Sequence, residues 1–200
     1  MKKKFHLAPV VILSSFLIFF ACGKKRPKLT DQSSISGSKT EPAWVTRCAG
    51  AFEDAGKEAF YGCGVASGIE NRTLQIQTAD ARARADLAKA IDTYVASFFK
   101  DYLSSAGLSQ EAGLTEIEEK QFIESITKEI TEVSLYGVQI LDRWRAPDGT
   151  LYSLARVSFE NVAQNMKKAM SERAKELKLE ADRALEELDR QLEKRKQSGK

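Results

Sequence analysis

Thr78–Ser104 reads TADARARADLAKAIDTYVASFFKDYLS. With Leu87 on one face, Ile91, Tyr94, Val95, Phe98 and Tyr102 follow at the 3.6-residue period of an amphipathic helix. Ala79, Ala83 and Ala88 place small side chains toward the same side. Alanine favours helix and lets the axis sit close to its partner. Arg82, Asp86, Lys89 and Asp92 fall opposite and are predicted to face water. A helix with one apolar face must bury it, and the flanking segments read as a sheet.

Upstream, Phe60 to Ala66 is short, apolar and glycine-rich, a first strand whose Gly62 and Gly64 permit close backbone approach. The glycines do not form a phosphate loop, because neither Gly-x-Gly-x-x-Gly nor a following Lys-Ser or Lys-Thr is present. Downstream, Ser105 to Gly113 reads as a loop. Thr115-Glu116-Ile117-Glu118 has capping-box form and opens a helix to about Glu132. Ile123, Ile126, Ile130 and Val133 mark its predicted buried side. Glu116, Glu118, Glu119, Lys120 and Glu124 read as a solvated face, the acids suiting the positive end of the helix dipole.

The period then switches to two. Val138, Ile140 and Trp144 are read on one face of a strand, Pro147-Asp148-Gly149 as a turn, and Leu151 to Phe159 as the returning strand. The expected fold class is α+β: a small three-stranded sheet packed on a long helix. From Asn161 the chain is highly charged and free of proline and glycine until Gly199. Met170, Ala174, Leu177, Ala181, Leu185, Leu188 and Leu192 make a narrow heptad-like stripe. Some 38 helical residues would extend roughly 57 Å, so a protruding C-terminal helix is expected. It is read either as a solvated single helix or as a surface for self-association or a protein partner.

The amino terminus reads as an address. Lys2, Lys3 and Lys4 precede an apolar run, Leu7 to Ala21, shorter than the roughly 20 residues that span a bilayer. Phe19-Phe20-Ala21-Cys22 looks like a lipobox, with Cys22 as the lipidation site and residues 1–21 as a lipoprotein signal peptide; an ordinary signal peptide cut at a similar place, or a single uncleaved anchor, is the alternative. Phe19 departs from the leucine usual at that position. Residues 22–41, rich in Ser, Lys and Gly, read as a flexible tether, and Lys24, Lys25 and Arg26 stand beside the lipid site.

The 200-residue chain has 31 Lys+Arg against 28 Asp+Glu. Cleavage before Cys22 would take three lysines and no acid, leaving 28 of each. The basic balance thus belongs to the signal and gives no reason to expect nucleic-acid binding. His6, the chain's one histidine, would leave too. That removes Ser-His-Asp, Cys-His and histidine-metal chemistry, and no catalytic residue, metal site or cofactor is expected. Cys48 and Cys63 then remain. An exported chain favours pairing them as a disulfide; two buried thiols are the alternative, since their spacing fits neither a redox nor a zinc site.

Several of these pieces occur together: Pro42-x-Trp44, Gly-Cys-Gly-Val-Ala at 62–66, ADARARADLAKAI at 79–91, and Val138-Gln-Ile-Leu-Asp-Arg-Trp144 joined through Pro-Asp-Gly to Leu151-Tyr-Ser-Leu-Ala-Arg156. In this order they resemble the LPP-twenty family of bacterial lipoproteins over residues 42–160. The resemblance implies a compact α+β domain, an envelope location, and no established enzymatic activity or catalytic residues. Related domains occur in a periplasmic flagellar assembly protein. The expected function is therefore that of a lipid-anchored lipoprotein with a structural or protein-interaction role, held on the membrane, most often the outer one, through Cys22. A component of a periplasmic flagellar or other envelope assembly is the alternative. A carboxylate-based cell-wall hydrolase is the weaker third.

Overall fold

A computed structural model describes residues 35–36, 40–176 and 181–198, all within the unit Asp31–Lys200. In chain order the elements are β1 (Ile35–Ser36), α1 (Ala43–Arg47), β2 (Ala59–Ala66), α2 (Arg72–Ala106), α3 (Leu108–Glu111), α4 (Glu116–Ser134), β3 (Gln139–Arg145), β4 (Leu151–Ser158), α5 (Phe159–Glu176) and α6 (Ala181–Ser198). The fold is α+β, with an antiparallel β3-β4-β2 sheet lying on the long helix α2. A fourth strand, β1, adds parallel to the outer edge of β3, Ile35 opposite Arg143 and Ser36 opposite Trp144. These two residues lie inside the stretch read as a flexible tether.

α2 begins earlier than its apolar period. Asn71 caps it by accepting from the Leu74 amide at 3.0 Å, and Gly107 ends it in the left-handed conformation. Ala79, Ala83, Leu87, Ile91, Val95, Phe98 and Tyr102 are all buried, as the period requires. The helix lies almost on the backbone of β2. A Cβ on Gly62 would stand 2.3 Å from the Leu87 amide nitrogen, and one on Gly64 would stand 2.1 Å from the Ala79 carbonyl oxygen. Only glycine fits at either position.

α4 has the expected capping box, Thr115 and Glu118 each bonding back to the other. Its buried face is rotated from the expected one. Phe122, Ile126 and Ile130 are buried with Thr127, Thr131 and Ser134, while Val133 is 43% exposed and Ile123 half-buried. The packing direction follows Phe122, which meets Phe99 edge-on at 6.5 Å between ring centres.

The β3–β4 hairpin turns where expected. The Ala146 carbonyl accepts from the Gly149 amide at 2.9 Å, and Gly149 takes φ +85°. Val138, Ile140 and Trp144 do not share a face, however. A register shift between Ile140 and Asp142 inverts the alternation. Ile140 packs with the α2 core, whereas Trp144 packs on the other side of the sheet with Trp44, Ala59, Tyr61 and Leu154. The segment 43–56 closes that second face, with Phe52 stacked on Tyr61 at 4.1 Å.

The C-terminal segment does not protrude as one helix. α5 ends at Glu176 and α6 begins at Ala181; residues 177–180, which include Leu177 of the stripe, lie outside the described residues. Lys167 of α5 pairs with Asp189 of α6 at 2.6 Å. In one continuous helix those positions would be separated by roughly 33 Å, so the two helices run side by side. Ala174, Leu188 and Leu192 are buried in the same core as α2. The Tyr102 hydroxyl donates to the Ala184 carbonyl at 2.7 Å. Arg195 lies over the rings of Tyr94 and Phe98 at 5.6 and 5.4 Å. The described members of the stripe, Met170, Ala174, Leu185, Leu188 and Leu192, pack within the chain in the core shared with α2.

Candidate interaction surface

Cys22, the predicted lipidation site, and the signal at 1–21 lie outside the described residues. Cys48 and Cys63 are brought together, with sulfurs 2.13 Å and Cα atoms 5.8 Å apart, as a disulfide. It fastens the residue just after α1 to the middle of β2, and Trp44 Nε1 adds a bond to Asp142 of β3 at 3.1 Å, so segment 43–56 is held against the sheet.

Two polar devices tie the helix to the sheet, and neither was singled out as a site by the sequence reading. The first joins Asp80 on α2 to Arg143 on β3, whose Nε and Nη2 donate to the two carboxylate oxygens at 2.8 and 2.6 Å. The Ser153 hydroxyl adds a bond at 2.7 Å. Burial acts to raise the Asp80 pKa, but the Arg143 and Ser153 hydrogen bonds and the Arg143 and Arg84 charges outweigh it. The net effect is a carboxyl held below its ordinary value. Nearby, Gln75 and Arg145 both donate to the Gly149 carbonyl, at 2.9 Å each, and so fix the hairpin turn to the start of α2. A carboxylate gripped this way stays ionised near neutral pH, which suits holding geometry rather than shuttling protons.

The second device caps the sheet edge. β2 is the last strand, and its outward-facing groups are open to pairing with another chain. Asp86 accepts from the Cys63 amide at 3.0 Å, and Arg82 donates to the Val65 carbonyl at 2.5 Å. Both residues were read as free in water; they are exposed, yet bonded to β2. Gly56 donates to the Ala59 carbonyl at 2.8 Å and covers the start of the same edge.

Among the described residues, an open surface lies between α2 and α4. Two adjoining hollows of about 590 and 500 Å³ run along this seam and share Ala96, Ile123 and Glu124. Their α4 wall carries Glu116, Glu119, Lys120, Glu124, Lys128 and Glu132, and their α2 wall carries Asp92 and Lys100. The floor is apolar at Ala96 and Ile123. Thr127 is buried there, its hydroxyl without a hydrogen-bond partner among the described residues. Ile117, on the turn above, is 70% exposed. Apart from Glu119, the row from Glu116 to Glu132 alternates in sign every four residues. That pattern is visible in the sequence, but the segment reads there only as a solvated face.

Among the described residues no group of three or more Cys, His, Asp or Glu could hold a metal ion, and no helix is long and apolar enough to cross a membrane. Among the described residues, the elements form an α+β body that carries a groove between two helices. Comparison with protein-family models, with curated proteins and with solved structures returned no match.

Proposed function

We propose that this protein is a lipid-anchored lipoprotein of the bacterial envelope, with a structural or protein-interaction role. The observation that carries the proposal is the short apolar run ending in Phe19-Phe20-Ala21-Cys22 behind three lysines. Supporting it, the body is closed on both faces of its sheet, its β2 edge is capped, and its open feature is a groove suited to a helix or a peptide. The α+β layout also agrees with what the LPP-twenty resemblance implies.

β1 gives the attachment a geometry. From Cys22 to Ile35 is thirteen residues, a root-mean-square reach on the order of 20 Å for a flexible chain. β1 lies along β3, so the described chain enters the folded body at that edge.

Expression in a bacterial host with and without globomycin tests the attachment. The proposal expects the drug to accumulate the unprocessed precursor, and a Cys22→Ser form to leave the membrane fraction once its leader is cleaved. Unchanged processing under the drug would contradict it.

A further inference from the structure

We infer that two copies of this chain associate through α4, antiparallel and about a two-fold axis. Glu116, Lys120, Glu124, Lys128 and Glu132 recur every four residues with alternating sign, and all five line the groove wall. All are exposed, and none closes an ion pair within 4.0 Å among the described residues. Spacing of this kind supports a single helix only by about 0.2–0.5 kcal/mol per pair.

Opposed to itself in antiparallel order, about an axis between Lys120 and Glu124, the row complements itself at its first four members, and Glu132 falls opposite Ala112, outside α4. Glu116 meets the second copy's Lys128, Lys120 meets its Glu124, and the same pairs recur on the far side of the axis. This is the self-complementarity that an isologous interface requires. A shift by one helical repeat, with the axis at Glu124, would set Lys120 against Lys128 and Glu116 against Glu132. The charges therefore reject an axis centred on a charged residue; an axis between Glu124 and Lys128 would also pair opposite charges, and the seat of Ile117 over the hollow is what favours the axis between Lys120 and Glu124.

The apolar features fit the same arrangement. Ile117 is 70% exposed, and in this register it falls opposite Thr127 of the second copy, over the hollow floored by Ile123 and Ala96. A knob from each copy would then fill the hollow of the other, as in helix-in-groove recognition. The stripe on α5 and α6 is not available for this purpose, because Ala174, Leu188 and Leu192 are already buried. Much of the interface is exposed charge, so the association should be modest and should weaken as salt rises.

A charge-swap experiment tests the inference on the full chain in detergent micelles, by sedimentation equilibrium. Lys120→Glu with Lys128→Glu makes the row acidic; Glu116→Lys with Glu124→Lys makes its first four members basic. Each variant alone should dissociate at least about tenfold more readily than the wild type, and an equimolar mixture should recover a dimer. Circular dichroism and melting of each variant establish that it is folded. A wild-type chain that stays monomeric across the accessible concentrations overturns the inference. So does an acidic variant that self-associates as tightly as the wild type, or a mixture that recovers nothing. The inference does not depend on lipid at Cys22: a chain found unlipidated is run in buffer instead, with the same outcomes.

Discussion

At Gly62 and Gly64 the absence of a side chain is structural, since a Cβ at either would lie within 2.5 Å of the α2 backbone. Gly64→Ala should therefore destabilise the fold by about 3 kcal/mol or more in urea titration, at the upper end of overpacking costs. Gly50→Ala, where nothing lies within 4 Å, should stay within about 0.5 kcal/mol of wild type. Equal effects at the two sites would contradict the close approach. The Asp80–Arg143 pair makes a pH-dependent prediction. Both side chains are about 15% exposed, so Asp80→Asn should cost about 2 kcal/mol at pH 7, less than for a fully buried pair. The folded pKa of Asp80 is lowered. Its contribution is thus fully present above the unfolded carboxyl value, about 3.9, and fades as pH falls through the folded value. The stability gap between wild type and Asp80→Asn should shrink between pH 7 and pH 3; a constant gap would assign the cost to packing alone. Neither Asp80 nor Arg143 stands out in the sequence, because the pair spans 63 positions and no local period encodes a contact between a helix and a distant strand.

At the scale of elements, what local spacing encodes was legible and what packing decides was not. The α2 face, the Thr115 capping box and the Pro-Asp-Gly turn follow from periods and turn chemistry within a few residues. The bulge that sends Ile140 and Trp144 to opposite faces does not, since it depends on how β3 pairs with β4. The same holds for the rotation of α4, set by Phe122 against Phe99. In the tail, the apolar stripe was visible but its partner was not. Two further outcomes belong to this scale. Leu188→Ala should cost about 2–5 kcal/mol, because Leu188 is buried in the shared core; a surface-like change would return α6 to the solvent-facing role first expected of it. Reducing the Cys48–Cys63 bond, with a separation of 15 residues, should lower stability by about 3 kcal/mol in the chain-entropy model. Denaturation with and without reductant reads this directly, and an intact mass unchanged by reductant would show two free thiols instead.

For the whole molecule, the groove and the anchor answer different questions. The α2–α4 seam is a property of the folded body and was accessible only once α4 had been placed against α2. The proposed anchor rests on the amino terminus, where the sequence has a short apolar run closed by Cys22. Two residues of the stretch read as a tether, Ile35 and Ser36, sit on the β3 edge as β1. The central claim, that a lipid on Cys22 fixes where this protein works, is tested most directly by the mass of the mature amino-terminal peptide from membranes. The account predicts a chain beginning at Cys22 and carrying a diacylglyceryl group; an unmodified cysteine, or a mature terminus at another residue, would contradict it.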